Sequence, residues 1–281
     1  MTGDGSGDDR GRDARDAWWS LDATALPRAV PESVAATPPA YYATPRYLRR
    51  ASLREWWTVL HPPYTLLLLS LVSCGACLQG PVHAGRFLAT LAAFFLAVGV
   101  GAHSLDELHG RPLRTSLPSW QLVLGAVVGV GGSLGLGVVG LFIVGGWLAL
   151  FILVGVSVVL SYNLELFHGL FHTRAVVVLG WGAFPILTAY YAQHRTLSLA
   201  SALVAGFGAL LTLAQQQLST PARHLRRRVV AVRGVLVGED GTTTPLDKDQ
   251  LLAPLEHTLR TLCRAGPLLA LGLIVARVTH L

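Results

Sequence analysis

Seven long apolar stretches, about 62–80, 86–104, 119–138, 141–161, 174–192, 197–217 and 251–279, occupy most of this chain after residue 61. A helix needs roughly 20 mostly apolar residues to cross about 30 Å of hydrocarbon. In lipid, backbone polar groups must find their partners inside the segment, which leaves helices as the spanning element for runs of this kind. The fold class expected is therefore all-α, a multi-pass transmembrane helical bundle of about seven spans, the last more amphipathic at its start. Composition agrees: 52% of residues are hydrophobic and 14% charged, with mean hydropathy +0.51, too apolar for a soluble domain of this length. The formal net charge of +6 comes from arginines gathered in a few segments. Such clusters suit anionic lipid headgroups or a diphosphate, and no motif for stacking on bases or reading a groove is present. Membrane lipids are expected partners and nucleic acid is not.

Residues 1–44 mix Gly, Asp, Arg, Pro and Ala without periodicity, the pattern of a disordered tail. Residues 45–281 form the expected membrane domain, with a loop at 218–250. The run Pro45 to Trp57 sets Tyr47, Leu48, Leu53, Trp56 and Trp57 among four arginines, consistent with a helix lying in the membrane interface. Residues 1–56 contain no short apolar signal region, so the first span is expected to direct insertion. Within 218–250, β-branched runs flank Glu239-Asp240-Gly241, a hairpin signal. Cys74, Cys77 and Cys263 sit in apolar surroundings and read as packing residues. Glycines 125, 129, 131, 132, 135, 137 and 140 give the third span small-xxx-small spacings that allow close helix contact. Seventeen lysines and arginines fall in the tail and in the loops 103–118, 162–174 and 218–250, against Arg86 and Arg195 in the opposite loops. By the positive-inside rule the N-terminus is cytoplasmic and the protein lies in the cell membrane.

Residues 99–120, GVGAHSLDELHGRPLRTSLPSW, concentrate polar chemistry at the end of the second span. On a helix His103, Asp106, Glu107 and Gly110 share a face at i, i+3 and i+4 spacing. His103, Asp106 and Glu107 are thus candidate ligands for Mg²⁺, which takes carboxylate oxygens and completes its shell with water and phosphate. Arg111 and Arg114 follow, with planar charged forks suited to phosphate. The competing reading is an ordinary helix end whose arginines obey the positive-inside rule. In SYNLELFHGLFHTR, residues 161–174, Glu165, His168 and His172 would share a helical face and serve as base for an acceptor hydroxyl or for proton removal from a cation. Solvated interfacial side chains are the alternative there. His61, ahead of Pro62-Pro63, reads either as a helix-start residue or as part of a buried tunnel.

These segments resemble the UbiA superfamily of intramembrane prenyltransferases. Residues 99–120 are similar to its first aspartate-rich motif, Asn-Asp-x-x-Asp-x-x-x-Asp followed by Arg-Pro-Leu: Asp106 falls on the middle aspartate and Arg111-Pro112-Leu113 on the trailing triplet. VVVLGWGAFPILTAYYAQ, residues 176–193, resembles the fifth helix of the menaquinone-branch members, and Ser161-Tyr162 the tyrosine-bearing break before it. The likeness covers roughly residues 55–217. Ala102-His103 replaces the Asn-Asp pair, and Gly110 the third aspartate. The place of the second acidic motif reads AQQQLSTPARHLRRRV, residues 214–229, without a carboxylate. There Gln215, Gln216 and Gln217 offer carbonyl oxygens, while Arg223, Arg226, Arg227 and Arg228 offer positive charge. The resemblance implies Mg²⁺-assisted ionisation of an isoprenyl diphosphate and prenyl transfer to an aromatic or lipid acceptor. Asp106, Glu107, Glu165 and His168 would be catalytic, and Arg111, Arg114, Gln216 and Arg223 would hold the diphosphate. A terpene cyclase of the same superfamily, or a non-catalytic membrane protein binding a lipid or partner, are the alternatives.

The charge asymmetry makes a topological prediction. Cysteines placed at positions 114 and 226 should react with a membrane-impermeant maleimide only from the cytoplasmic face. Labelling confined to the outer face would invert the topology.

Overall fold

In a computed structural model of the chain, residues 38–43 and 47–278 are described. The tail expected before residue 38 and the start of the interfacial run, Pro45 and Arg46, lie outside the described residues. Eight helices and one hairpin follow in order. Helix α1, Ala51–Val59, meets α2, Pro62–Cys77, at a 46° bend. Next come α3, Ala84–Leu108, α4, Ser119–Val144, and the shorter apolar α5, Leu148–Asn163. Helices α6, Arg174–His194, and α7, Leu199–Arg228, precede strands β1, Gly234–Val237, and β2, Thr243–Leu246. Helix α8, Lys248–Val278, ends the described chain.

The seven apolar stretches all lie on helices α2 to α8, and the protein is a helical membrane bundle. Five helices are long and apolar enough to cross a bilayer, and the bent pair α1–α2 makes a sixth; α5 has 16 residues. The bundle is turned apolar side outward. Only 11% of the most apolar stretch of α4 is buried, and Val127, Val139 and Phe142 are exposed along it. In water such a surface would be an aggregation site; facing lipid it is the solvated surface.

Helix α2 runs through the middle, packed on α3, α6 and α8, and is buried over most of its length. Apolar side chains gain little by leaving lipid for protein, so close backbone packing has to hold the helices together. A Cβ on Gly75 would lie 2.3 Å from the Ile186 carbonyl oxygen, where α2 crosses α6. A Cβ on Gly129 of α4 would lie 2.4 Å from the backbone nitrogen of Gly101 on α3. Of the glycine run noted on α4, Gly129 thus makes a backbone contact, whereas Gly131 and Gly135 face open space. The three cysteines are buried free thiols.

At the end of the bundle where α2 finishes, three arginines close helix ends. Arg86 donates to the Gln193 carbonyl (3.1 Å) and Arg195 to that of Ile143 (2.7 Å). Arg277 donates to the carbonyls of Cys77 (2.9 Å) and Leu78 (2.7 Å). Each thus serves the C-terminal carbonyls of another helix, which lack partners within that helix.

At the other end α7 runs on to Arg228, although a loop was expected from residue 218. Pro221 does not interrupt it. The hairpin follows in the expected place, with Val237 opposite Thr243 and Gly234 opposite Leu246. Its turn is tied by Asp240 Oδ1, which accepts from the Thr242 backbone (3.0 Å) and hydroxyl (2.7 Å).

If backbone contact between α2 and α6 holds the bundle, Gly75→Val should cost at least about 2 kcal/mol through overpacking. Gly206→Ala, on the exposed face of α7 with nothing within 4 Å of its Cβ position, should instead stabilise by roughly 0.5–1 kcal/mol. Thermal unfolding in detergent micelles measures both. Equal melting temperatures for wild type and Gly75→Val would refute the packing argument.

Candidate functional site

Two cavities lie inside the bundle, with Trp181 in the lining of each. An apolar groove of about 380 Å³ runs between α3, α4, α5 and α6, from His83 and Arg86 at one end to Trp181 at the other. Its rim includes the exposed Val139 and Ile143, so it opens on the lipid-facing surface. A chamber of about 180 Å³ sits among α2, α3, α5, α6 and α7, lined by His61, Tyr64, His103, Asp106, Tyr162, Asn163, Thr212, Gln215, Gln216 and Arg223 above an apolar floor. Trp181 lines both. Ligand sites are commonly apolar clefts of this size with a few convergent polar groups.

Local departures from regular helix shape both cavities. Residues Phe95–Ala102 of α3 and Val178–Ala183 of α6 are wound as π-helix, whose wider turns re-aim the side chains that follow and occur often at functional sites. The first delivers His103 and Asp106 to the chamber, and the second carries Trp181. Glycines within these turns allow neighbouring backbones in: Gly182 meets Gly208 of α7, as Gly101 meets Gly129.

The continuation of α7 matters most for the charge. Gln216, Arg223 and Arg227 are at i, i+7 and i+11, on one side of a helix. Arg223 and Arg227 are the cations whose field acts most on Asp106. Arg223 makes only long contacts, to Gln216 Oε1 (3.5 Å) and Thr220 Oγ1 (3.4 Å), and no ion pair among the described residues includes it. Arg227 donates to the Pro39 carbonyl (3.2 Å). Arg226 points elsewhere, forming a two-pronged ion pair with Glu256 of α8.

The sequence-derived site residues separate into those the structure gathers and those it does not. Asp106, His103, Gln216 and Arg223 line the chamber. Glu107 does not. It is fully buried, and its carboxylate accepts from the backbone of Leu113 (2.9 Å) and Thr115 (3.0 Å) and from the Thr115 hydroxyl (2.8 Å). Instead of offering oxygens to a metal, it anchors the loop between α3 and α4. Arg111 serves the same loop, donating to the Leu117 carbonyl (2.6 Å) and Ser119 Oγ (2.9 Å). Arg114 donates to the Arg227 carbonyl (3.1 Å). Arg111 and Arg114 both have positive φ, a conformation non-glycine residues seldom adopt, so these bonds hold a strained turn in place.

The segment 164–172 is not the helix that would align Glu165, His168 and His172. It is a series of turns in which Glu165, Phe167, His168 and Gly169 have positive φ. His168 is exposed. Glu165 faces His109 and His172, each at 3.8 Å, outside the chamber lining. His172 stacks on Tyr162 at 4.3 Å, and Tyr162 in turn touches Trp181 at 5.0 Å, so this turn buttresses the chamber wall.

Family models, curated proteins and solved structures offer no match to the chain. The site is therefore read from its own geometry.

Sequence reasoning missed Tyr64, Asn163, Thr212 and Trp181 as site residues. A signal for α7 existed: continuing the helix past Gln217 places Thr212, Gln216, Ser219 and Arg223 on a polar stripe at i, i+4, i+7 and i+11. Tyr64 and Trp181 lie within apolar runs and carry no such mark.

For Mg²⁺ the donor set falls short. Among the described residues no three His, Cys, Asp or Glu side chains converge as metal ligands, and Asp106 is the sole carboxylate lining the chamber. The other chamber donors are neutral, and Arg223 adds positive charge. These residues fit an anion better than a protein-held cation.

The division of labour between the two neighbouring acids is testable. Glu107→Ala should destabilise the fold by about 2–3 kcal/mol, because buried backbone donors at Leu113 and Thr115 lose their acceptor. Asp106→Asn should leave the melting temperature within about 1 °C of wild type, roughly the spread expected of a neutral site. The reverse order in thermal unfolding would overturn the assignment.

Proposed function

We propose that this protein binds an isoprenyl diphosphate, with the tail in the lateral groove and the diphosphate in the chamber, and that it acts as a UbiA-like prenyltransferase. The observation that carries the reading is the place of Trp181, which lines both an apolar groove open to lipid and a chamber holding an arginine that forms no ion pair among the described residues. An amphiphile with a long apolar tail and an anionic head matches that order of surfaces. The resemblance of residues 99–120 and 176–193 to the superfamily supports the same ligand class. In this reading α5 spans with the others, giving seven spans, and the chamber end of the bundle is cytoplasmic.

The chemistry follows from the charges. The allylic carbon–oxygen bond breaks with its electron pair leaving on the diphosphate, whose growing charge Arg223 and Arg227 stabilise. An aromatic or lipid acceptor attacks the allylic cation, and Asp106 takes up the proton released. Attack by the substrate's own double bonds would make the protein a cyclase with the same first step.

Purified protein in detergent should bind farnesyl diphosphate and release pyrophosphate. Arg223→Ala should weaken binding about tenfold or more, the scale of a lost charge-assisted hydrogen bond, and Asp106→Asn should stop turnover while sparing binding. Ala93→Trp, which fills the groove, should weaken farnesyl diphosphate but not inorganic pyrophosphate. Binding should persist in chelator. Wild-type protein that binds no isoprenyl diphosphate, with or without Mg²⁺, would end the proposal.

A further inference from the structure

The segment Pro38–Ala43, placed in the tail by sequence, lies against the chamber end of the bundle. The carbonyls of Pro38 and Pro39 accept from Arg226 (3.3 Å) and Arg227 (3.2 Å). Tyr41 packs with Leu252, Leu259 and Ala222, and the Arg260 guanidinium sits over its ring at 5.0 Å. Tyr42 touches the rings of Tyr64 (5.7 Å) and His61 (5.4 Å), and its hydroxyl is hydrogen-bonded to His61 Nδ1.

His61 lines the chamber. It adopts a left-handed conformation at the bend between α1 and α2, and its ring lies against His103 at 4.4 Å. Its other nitrogen, Nε2, is buried without a hydrogen-bond partner. A buried polar atom of this kind asks for an explanation, a functional contact among them. The direction of the Tyr42 bond decides what that nitrogen offers. Burial raises the Tyr42 phenol above its ordinary value and so keeps the proton on its oxygen, and an imidazole nitrogen is a far stronger base than a phenol oxygen, so the hydroxyl donates to Nδ1. A neutral ring with Nδ1 accepting carries its proton on Nε2. Arg223 and Arg227 already act on this ring with positive charge, and a neutral N–H adds a donor without adding more.

We infer that His61 Nε2–H is a hydrogen-bond donor to the anionic head of the ligand, and that Tyr42 is a positioning residue that fixes the tautomer. This rests on the proposed function above for the identity of the ligand, and it makes the segment before the first span part of the binding site.

The test uses full-length protein in detergent, ¹⁵N-labelled on histidine, with the His61 signals assigned by comparison with His61→Gln. Wild type should show His61 protonated on Nε2 at neutral pH, and Tyr42→Phe should lose that preference. His61→Ala should raise the Kd of both farnesyl diphosphate and inorganic pyrophosphate on the order of tenfold and leave farnesol unchanged, with His61→Gln recovering part of the loss. A wild-type proton on Nδ1 would overturn the inference, as would a correctly folded His61→Ala with wild-type affinity for both anions. If wild type binds neither anion, the functional reading itself fails and this inference falls with it. If wild type binds and only the His61 and Tyr42 variants are silent, the inference alone fails.

Discussion

Everything in this molecule depends on backbones that touch. A bilayer removes the usual reason for helices to associate, because an apolar side chain is as well solvated by lipid as by protein. What remains is dispersion at short range, and it grows with the number of atoms brought into contact. The contacts of Gly75 with Ile186, Gly101 with Gly129, and Gly182 with Gly208 supply that closeness. They also fix the site. One glycine of each of the last two pairs, Gly101 and Gly182, lies in the π-helical turns that hand His103, Asp106 and Trp181 to the cavities.

Polar groups then do what apolar burial does in a soluble core. Glu107 ties the loop after α3 through three hydrogen bonds, and the Arg226–Glu256 pair joins α7 to α8. Breaking a buried ion pair of this sort by removing one partner generally costs about 3–5 kcal/mol. Structural and chamber-facing charges therefore sit side by side. Asp106 and Glu107 are adjacent in sequence, yet one lines the chamber and the other is consumed by the loop, because successive helical residues point about 100° apart.

The helices were legible because spanning lipid demands a long apolar run, and each of the seven runs left that mark. Local geometry was less so. Nothing in LELFHGLF reveals a run of turns with positive φ at Glu165, Phe167, His168 and Gly169, three of them residues that seldom adopt it. The extent of α7 was underestimated for a related reason: an arginine-rich continuation reads as loop when judged by hydropathy, although Arg is a good helix former. In the site, Asp106 could be nominated from helix spacing and Gln216 and Arg223 from the place of the second motif in the resemblance, and all three line one cavity. Long-range partners such as Tyr42 and His61, or Glu107 and Thr115, depend on how the chain closes on itself, which spacing along one element does not encode.

The arginines that cap helix ends have an electrical consequence. The C-terminal end of a helix carries about half a negative charge. Arg86, Arg195 and Arg277 each lie against such an end, so their charge is offset by about half by the helices they close. At the chamber end Arg223 has no carboxylate partner among the described residues. The two faces of the bundle thus differ in available charge as well as in arginine number, and the molecule is polarised along its axis. That difference gives the groove, which runs from Arg86 to Trp181, a direction that its apolar walls alone would lack.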